Sequence, residues 1–598
     1  MLRNILLNLL IGTIMINLTS NTSAADQTGQ QANEATSHKI CNMIAMDFLS
    51  HSPVEVKCDA GLSEFATVGT LMMKGYTDTW QKVYEALLIG LKEHPALNEA
   101  TILQRREIEL TISIVEDYLK MMSLNRQYRR VSLFMPPNLV DPQDAIDAIG
   151  FVFGNLNSLI IKGYKPEIVA QRFKFYVMPG DNLLSFIDGA IAELKYLINQ
   201  YSQSGGDILY PSIRQLEDII DPKKLEAILE ELPTLIGDGH ADVIAEFQAQ
   251  IDRYVAFINT VLRPHAPSES LLPRELYLTY LRLYGVYETP EHLIDRAKKD
   301  WEIYYKRYQD LALQIAQERG LFGTEPAPLV LALERETSSD DPDVVMERYE
   351  RAQAQMEEYI KRDNLMTLPG RPIRMRVGTA AEEATFPVPH VITPNFIGNT
   401  GTVWPEFVLC DLVGNSSLMT ADPLIVHEGR PGHDLQFSRM VELYVEGKLN
   451  LIETVIASNS VNAEGWAHYV EYLMTDYMSL ESQLAALKDQ LLRIGRMFLD
   501  PQLNSQQIGF EDVVKFMKEK VGFESMALAE AKRYSFQLPG QATSYRYGAI
   551  KIMELRDKLY QEMGNQFSLQ KFHDAILSFG LIPVDLYADL IKDRMAEL

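Results

Sequence analysis

Apolar residues recur three and four positions apart along most of the chain, which is the pattern of amphipathic helices. The pattern is clearest in residues 101–130, 181–203 and 242–262, and it continues in residues 290–320 and 338–364. It predicts a mainly α protein built from many helices.

Two of these helices carry terminal signals. Pro290 stands in the first turn of one helix, and Gly320 follows its last apolar position. Asp341 is an N-cap candidate for the other, with Pro342 at the first helical position. Proline has no backbone N–H, and the first N–H groups of a helix have no acceptor within the helix, so proline is tolerated in the first turn. An aspartate can accept from those unpaired N–H groups, and glycine commonly ends a helix. These residues are therefore predicted helix boundaries.

Residues 365–412 break the helical pattern. They are rich in Pro, Gly, Thr and Val, residues 374–377 alternate in polarity, and residues 406–412 form a short apolar run. Such segments indicate strands. We expect a small β-sheet near 365–412, with helices again from about residue 421.

Pro and Ser interrupt the helical pattern at residues 262–276, which indicates a domain boundary. We take residues 26–265 as an N-terminal helical region and residues 266–598 as a catalytic helical region. The two regions could still share one core.

The first 25 residues, 1–25, have the layout of a signal peptide. Arg3 precedes an apolar run from Ile5 to Ile16, and residues 23–25 form a small-residue cleavage point. The run is shorter than the roughly 20 residues that a membrane span needs, and no later segment qualifies. The sequence predicts an exported protein, periplasmic or secreted, with no membrane span after cleavage.

The formal net charge of −25 argues against a nucleic acid partner, because phosphate binding needs a basic surface.

The chain has three cysteines. In an exported protein Cys41 and Cys58 could form a disulfide, with Cys410 as an unpaired thiol. Three buried thiols are the alternative, and the sequence leaves both open. It carries no signal for the oligomeric state.

Candidate chemistry lies in LIVHEGRPGHDLQF, residues 424–437, which is close to the zinc-peptidase pattern His-Glu-x-x-His. In that pattern two histidines on one helical face bind Zn²⁺, and the glutamate takes a proton from the metal-bound water. Here His427 and Glu428 are followed by His433, two positions late. On a straight helix the two histidines would point about 240° apart and could not share an ion.

Pro431 and Gly432 offer a solution to this spacing. Proline disrupts the helix at this point, and glycine gives the backbone freedom to recover. A break at residues 430–432 could turn His433 back toward His427. On the spacing alone, surface or core histidines remain the alternative.

The following segment, residues 458–474, supplies a carboxylate. Glu464, His468 and Glu471 share one face of a predicted helix. Glu464 is suited to be the third zinc ligand, whereas the alternative is a solvated glutamate; neighbouring aromatic residues such as Trp466 favour a buried helix. His468 could be a ligand or a packed histidine, but we predict that it supports Glu464 from a second layer, together with Glu471.

Residues 533–559 contain a Pro-Gly break and then a helix that begins near Tyr545. A tyrosine hydroxyl or an arginine beside a zinc site can stabilise an oxyanion. Arg533 and Arg546 are candidates to bind substrate, since a carboxypeptidase needs a cation for the terminal carboxylate. Tyrosine at helical spacing is also common in cores, so the spacing alone is not specific.

Four segments in this order resemble the DUF885 family: HEGRPGHDLQ, AEGWAHYVE, LPGQATSYRYG and KFHDAILSFGLIPVDLYADLI. The resemblance covers residues 265–598 well and the N-terminal region loosely. Members of this family are largely helical, often exported proteins that are thought to be zinc metallopeptidases. The family in turn is similar in layout to helical zinc carboxypeptidases and oligopeptidases, which have a cleft between helical halves.

The resemblance implies that His427, His433 and Glu464 bind Zn²⁺, that Glu428 is the general base and that Tyr545 contacts the oxyanion or substrate. Further residues fall in matching segments without a role that we can assign: Gln436, Arg533, Gln541, Arg546 and His573.

The chain departs from the family pattern at three positions. Asp434 replaces a histidine that often follows Pro-Gly-His, and it could hydrogen-bond His433 or face water. Asn504 replaces a histidine four residues after an aspartate, here Asp500, which would affect specificity or rate if that histidine acts on substrate. Arg274 stands where a glycine is expected.

The sequence hypothesis is a mainly α protein with a multi-helical, zinc-peptidase-like architecture, a cleft, and a small β-sheet before the zinc motif. It would hydrolyse short peptides with Zn²⁺-activated water and a glutamate base. One alternative is an exported helical protein that binds peptides or partners through a degenerate zinc site. Another is a structural helical protein without metal.

Overall fold

The computed structural model describes residues 29–598 except 99, 134–145, 181, 271, 321–324, 380–381, 383–387, 411–416, 458 and 525. The regular structure of the described residues is mainly α-helical, as the apolar periodicity predicts. The predicted signal peptide, residues 1–25, lies outside the described residues.

Helices before residue 266 commonly begin at a polar N-cap. The side chains of Thr101, Asp147, Ser185 and Ser212 each accept a hydrogen bond from a backbone N–H in the first turn of the helix that follows. The helices are α1 (Gly29–Ser50), α2 (Val54–Asp59), α3 (Tyr76–Lys92), α4 (Ile102–Gln127), α5 (Ala148–Ile161), α6 (Pro166–Val177), α7 (Phe186–Ser204), α8 (Ile213–Ile219), α9 (Pro222–Ile236) and α10 (Ala241–Phe257).

The helices after residue 266 build the surroundings of the histidine motif. They are α11 (Arg274–Leu283), α12 (Pro290–Arg319), α13 (Pro326–Glu336), α14 (Pro342–Arg362), α15 (Ala421–Glu428), α16 (His433–Val445), α17 (Ser460–Met474), α18 (Leu480–Asn504), α19 (Phe510–Phe516), α20 (Ala527–Lys532), α21 (Ser544–Met563), α22 (Leu569–Leu577), α23 (Val584–Tyr587) and α24 (Ile591–Glu597). Short π-helical segments also occur, among them Arg533–Gln537.

The predicted helix boundaries are confirmed. Helix α12 has Pro290 in its first turn and ends before Gly320, which adopts the left-handed conformation with φ 68°. The Asp341 side chain caps α14 by accepting from the backbone N–H of Asp343, and Pro342 occupies the first helical position.

A three-stranded sheet precedes the histidine motif, which confirms the expectation from residues 365–412. Strand β1 (Met375–Val377) pairs in parallel with β3 (Glu406–Leu409), and β2 (His390–Ile392) pairs with the other edge of β3 in antiparallel fashion. The last three residues of the central strand β3 are fully buried. The sheet therefore packs into the core close to the start of α15.

The apolar core crosses the sequence boundary at residues 262–276. One cluster of buried residues contains Ile40 and Leu281 as well as Leu581, so helices from both regions share it. A second cluster surrounds the sheet and helices α14 to α17, and it includes Phe407 and Trp466.

The cysteines settle one alternative that the sequence leaves open. Cys41, Cys58 and Cys410 are all buried, and no disulfide joins them. The Cys41 thiol donates to Glu107 Oε2 at 2.8 Å. Among the described residues, none of the helices is long and apolar enough to cross a membrane.

Candidate metal centre

The helix is interrupted between the two histidines of the motif, as Pro431 and Gly432 predict. Helix α15 ends at Glu428 and α16 begins at His433. A Cβ atom on Gly432 would lie 1.8 Å from the carbonyl oxygen of His427, so only glycine fits there. The break brings the two imidazole rings together edge to face, with 5.0 Å between their centroids and 83° between their planes.

Arg430 holds this turn in place. It donates from Nε to Asp434 Oδ1, from Nη1 to Glu357 Oε1 and from Nη2 to the Arg371 carbonyl, each at 2.8 Å. Arg371 in turn donates to Asp434 Oδ2 at 2.7 Å. Asp434 is fully buried between the two arginines. Our expectation that it bonds His433 or faces water is therefore wrong, because Arg430 and Arg371 occupy both of its carboxylate oxygens.

Helix α17 is tied to the same turn. The indole Nε1 of Trp466 donates to the carbonyl of Pro431 at 3.0 Å. On its other side α17 packs closely against α21, because Gly465 and Gly548 face each other. A Cβ atom on Gly465 would lie 2.6 Å from the Cα of Gly548. This close approach places Glu464 beside the histidines and the helix of Tyr545 next to it.

Three candidate ligand atoms converge. Glu464 Oε2 lies 3.4 Å from His427 Nε2 and 3.6 Å from His433 Nε2. All three atoms lie within 4.8 Å of one another. Ligand atoms about 2.0–2.1 Å from a tetrahedral Zn²⁺ are roughly 3.3–3.4 Å apart, so the observed spacing suits such an ion. The structure thus brings together the three residues that the resemblance implies as ligands.

The partners of the three ligand atoms, like their spacing, suit a bound cation. Glu464 Oε2 is buried, yet it makes no hydrogen bond to any residue that the structure describes. A buried carboxylate oxygen without a partner is costly, and a cation between it and the two imidazoles would remove that cost. Two imidazoles and one carboxylate also match catalytic zinc sites, which keep a fourth position open.

A buried carboxylate orients the first histidine. His427 Nδ1 donates to Glu471 Oε1 at 2.7 Å, which leaves Nε2 to face Glu464. Glu471 Oε2 accepts from His468 Nδ1 at 3.1 Å, and His468 Nε2 lies 3.1 Å from the Tyr472 hydroxyl. His468 therefore supports the centre through Glu471 and not through Glu464, which corrects our prediction.

The electrostatics of the centre favour a positive charge. Burial and Arg493 lower the pKa of His427, but its contact with Glu464 and its hydrogen bond to Glu471 outweigh them and raise the pKa to about 9. Burial raises the pKa of Glu464, but its contacts with His427 and His433 bring it well below the usual range. The raised pKa of His427 means that, without a metal, its ring carries a proton on Nε2 as well as on Nδ1. A metal bound at Nε2 would displace the Nε2 proton.

Glu428 lies at the edge of the cluster. Its Oε1 atom is 4.0 Å from His427 Nε2, and its side chain is 13% exposed. The end of α15 at this residue directs the carboxylate toward the ligand atoms while keeping contact with solvent. This position suits a general base that acts on a metal-bound water.

Tyr545 lies among three arginines. The guanidinium carbons of Arg496, Arg533 and Arg493 lie 4.7, 5.8 and 5.9 Å from the centroid of its ring. Arg493 also reaches the centre, with Nη2 3.3 Å from Glu471 Oε1. Our sequence reasoning missed Arg493 and Arg496, although their spacing of three residues in a predicted helix could have indicated a shared face.

Arg546, the other predicted substrate contact, has a partner within the protein. It donates to Asp300 Oδ2 from Nε at 2.9 Å and from Nη2 at 2.6 Å. Its guanidinium lies over the rings of Tyr304 and Tyr472. This arrangement secures α21 against α12, and a role toward substrate stays a prediction.

The remaining residues of the matching segments form internal contacts. Gln436 donates to Asn462, and Gln541 donates to Ser460. His573 lies between the Leu365 carbonyl and the Tyr469 hydroxyl, and burial lowers its pKa to about 4.

Asn504 also has an internal role. Its side-chain amide donates to Asp500 Oδ1 at 2.9 Å and to the Tyr534 carbonyl at 3.0 Å. Asp500 also accepts from the Tyr277 hydroxyl and from the backbone N–H of Gly540. Asn504 thus fixes α18 against the segment that contains Arg533.

The fold and the candidate centre together define a mainly α protein with a His-His-Glu cluster, two buried histidines and a partly exposed glutamate, at a helix break. A family model described as "Bacterial protein of unknown function (DUF885)" matches residues 169–591, and the chain belongs to this family. No curated protein matches the chain significantly.

Two solved structures show the same fold. One is described as "the putative lipoprotein from Colwellia psychrerythraea"; it has a TM-score of 0.68 and 16% identity and covers 94% of this chain and 100% of its own. The other is described as "a putative lipoprotein of unknown function from Shewanella oneidensis", with a TM-score of 0.67, 17% identity and coverage of 92% and 99%. At this identity the likeness shows the fold alone.

Proposed function

We propose that the protein is an exported zinc-dependent peptidase that hydrolyses short peptides, and that the ligands are His427, His433 and Glu464. The observation that carries the proposal is the convergence of two imidazole nitrogens on an otherwise unpartnered Glu464 oxygen, at 3.4 and 3.6 Å. A zinc-peptidase-like cleft for the substrate is part of this proposal.

His427, His433 and Glu464 would hold the zinc, which would supply Lewis-acid activation of a carbonyl group and of an attacking water. The Glu428 carboxylate, next to the ligands, takes a proton from the attacking water and passes it to the leaving amine. Glu471 keeps the proton of His427 on Nδ1 through their hydrogen bond. The Tyr545 hydroxyl, which accepts from Arg533 Nη2 at 3.4 Å, donates to the oxyanion.

The export part of the proposal rests on the layout of residues 1–25. The description of both similar structures as lipoproteins agrees with it. A periplasmic and a secreted location fit the same layout equally well.

The proposal is tested by metal analysis and by cleavage of a peptide library read by mass spectrometry. Wild-type protein should hold one zinc and cleave peptides. Glu428→Gln should retain the zinc and lose at least about 10²-fold in activity. His433→Ala should lose the metal, whereas His292→Ala, on an exposed histidine paired with Glu288, should behave like wild type.

Two outcomes would refute the proposal. Stoichiometric zinc without cleavage of any peptide would favour a binding protein with a degenerate zinc site. Full activity of Glu428→Gln would exclude this residue as the base.

A further inference from the structure

Three arginines form one cluster beside the candidate metal centre. We define the arginine cluster as Arg493 and Arg496, one turn apart on α18, and Arg533, the first residue of the π-helical segment Arg533–Gln537. All three guanidinium groups face the ring of Tyr545 within 5.9 Å of its centroid. Like charges repel, so three guanidinium groups around one ring favour the presence of anions among them.

Two of the three arginines have a carboxylate within the protein. Arg496 donates to both oxygens of Glu530, from Nε at 2.9 Å and from Nη2 at 2.6 Å. Burial raises the pKa of Glu530, but the charge of Arg496 outweighs it and lowers the pKa to about 2. Arg493 lies 3.3 Å from Glu471 Oε1, an oxygen that it shares with His427.

Arg533 differs from the other two. Its closest carboxylate oxygen in an ion pair is Glu530 Oε1 at 3.7 Å, which already accepts from Arg496. Its Nη2 atom instead contacts two neutral groups, the amide oxygen of Gln541 and the Tyr545 hydroxyl. Its side chain is 21% exposed, so a ligand can reach it.

Donors in the cluster are also unused. The Nε atoms of Arg493 and Arg533 are both buried, and neither has a hydrogen-bond partner in the described part of the chain. A buried cation without a full complement of acceptors is costly, and an anion with two oxygens is the complement of a guanidinium fork. The cluster is therefore built to accept one more carboxylate.

We propose that the arginine cluster binds a carboxylate of the peptide substrate and that Arg533 is its main donor. This inference rests on the proposed peptidase function. Arg493 Nη2 is 3.5 Å from His427 Nδ1, so the cluster adjoins the metal centre. An extended peptide advances about 3.3–3.6 Å per residue, which places the bound carboxylate within a few residues of the scissile bond. The carboxylate is either the C-terminus or an acidic side chain.

The test measures binding, so it does not depend on turnover. Zinc-loaded Glu428→Gln protein is titrated by calorimetry with three probes: N-acetyl-Ala-Ala-Phe with a free carboxylate, the same peptide as a carboxamide, and N-acetyl-Ala-Glu-Phe carboxamide. The free acid should bind at least about tenfold more tightly than its carboxamide, since charged hydrogen bonds contribute that much. If the glutamate-containing carboxamide matches the free acid, the cluster accepts an acidic side chain as well as a C-terminus; if it binds only as well as the plain carboxamide, the C-terminus is the source of the carboxylate.

The same titrations on two added variants assign the effect to Arg533. Arg533→Gln should abolish the preference for the carboxylate, whereas Arg253→Gln, an exposed arginine that pairs with Asp188 and Glu246, should preserve it. Zinc content and the melting temperature of each variant serve as checks of folding.

Equal binding of acid and carboxamide, or no binding of any probe, would overturn the inference. So would a preference that survives in Arg533→Gln, because the carboxylate would then contact the zinc or another group. Peptide cleavage by the wild-type protein is scored separately. Cleavage without a carboxylate preference refutes only the arginine cluster, and a preference without cleavage refutes only the peptidase proposal.

Discussion

Nδ1 of His427 donates to Glu471 Oε1 across 2.7 Å, and both side chains are buried. The two residues lie on different helices, α15 and α17. This hydrogen bond fixes the orientation of the imidazole before any metal binds, so that Nε2 faces Glu464.

Glu471→Gln should weaken zinc binding about 10–100-fold, because the amide supports the imidazole less well than the carboxylate. Competition with a chelating dye measures the change. Glu347→Gln is the matched control, since Glu347 is exposed and pairs with Arg351 on its own helix. Unchanged zinc affinity in Glu471→Gln would contradict the orienting role.

Gly432→Ala should destroy the centre. The added Cβ atom would overlap the His427 carbonyl oxygen, so the turn must shift and carry His433 away. We expect loss of zinc and a decrease of about 3 kcal/mol or more in the free energy of unfolding. Urea denaturation and metal analysis measure both.

Gly90→Ala is the control for that substitution. Gly90 lies in α3, and nothing lies within 4 Å of a Cβ atom built there. Alanine should stabilise this helix by roughly 0.5–1 kcal/mol. A Gly432→Ala protein with normal zinc content would show that the turn tolerates a side chain.

Asp434→His, which introduces the residue that the family resemblance leads us to expect there, should destabilise this protein. It removes the carboxylate that pairs with Arg430 and Arg371 and leaves buried cations without it. The expected cost is about 3–5 kcal/mol in unfolding free energy. The exposed Asp476→His serves as control, and equal stability of the two variants in urea would argue against the role of Asp434.

The stability of the protein should fall as pH rises from about 4 to about 7, in part because of Asp500. Burial raises the pKa of this carboxyl from 3.8 to about 7. Between these values the folded state binds a proton that the unfolded state has released, so a rise in pH favours unfolding. Protonation of Asp500 contributes roughly 4 kcal/mol to the free energy of unfolding. This contribution is fully present below about pH 4 and is lost by about pH 7.

Asp500→Asn removes this titration. Its unfolding free energy should therefore decline less across the same range, and urea denaturation at several pH values measures both proteins. Parallel curves for the variant and the wild type would contradict the assignment of the raised pKa to Asp500.

The sequence by itself determined the features that depend on neighbouring residues. Periodicity predicted the helices, and Pro290, Gly320 and Asp341 marked boundaries, because helix caps act within one turn. The Pro431-Gly432 pair predicted the helix break for the same local reason. Alternation and a short apolar run predicted the small sheet.

Only the tertiary structure decided which distant groups share a buried space. Asp434 is held by Arg371 from outside its helix, and Arg533 meets Arg493 and Arg496 across a tyrosine ring. The sequence also did not decide whether Cys41 forms a disulfide or stays a free thiol, and the structure shows it hydrogen-bonded to Glu107. These partners depend on how the helices pack, because a buried charge must pair with a counterion and that counterion often lies on a neighbouring helix. The spacing of residues along the sequence does not specify which helices are neighbours.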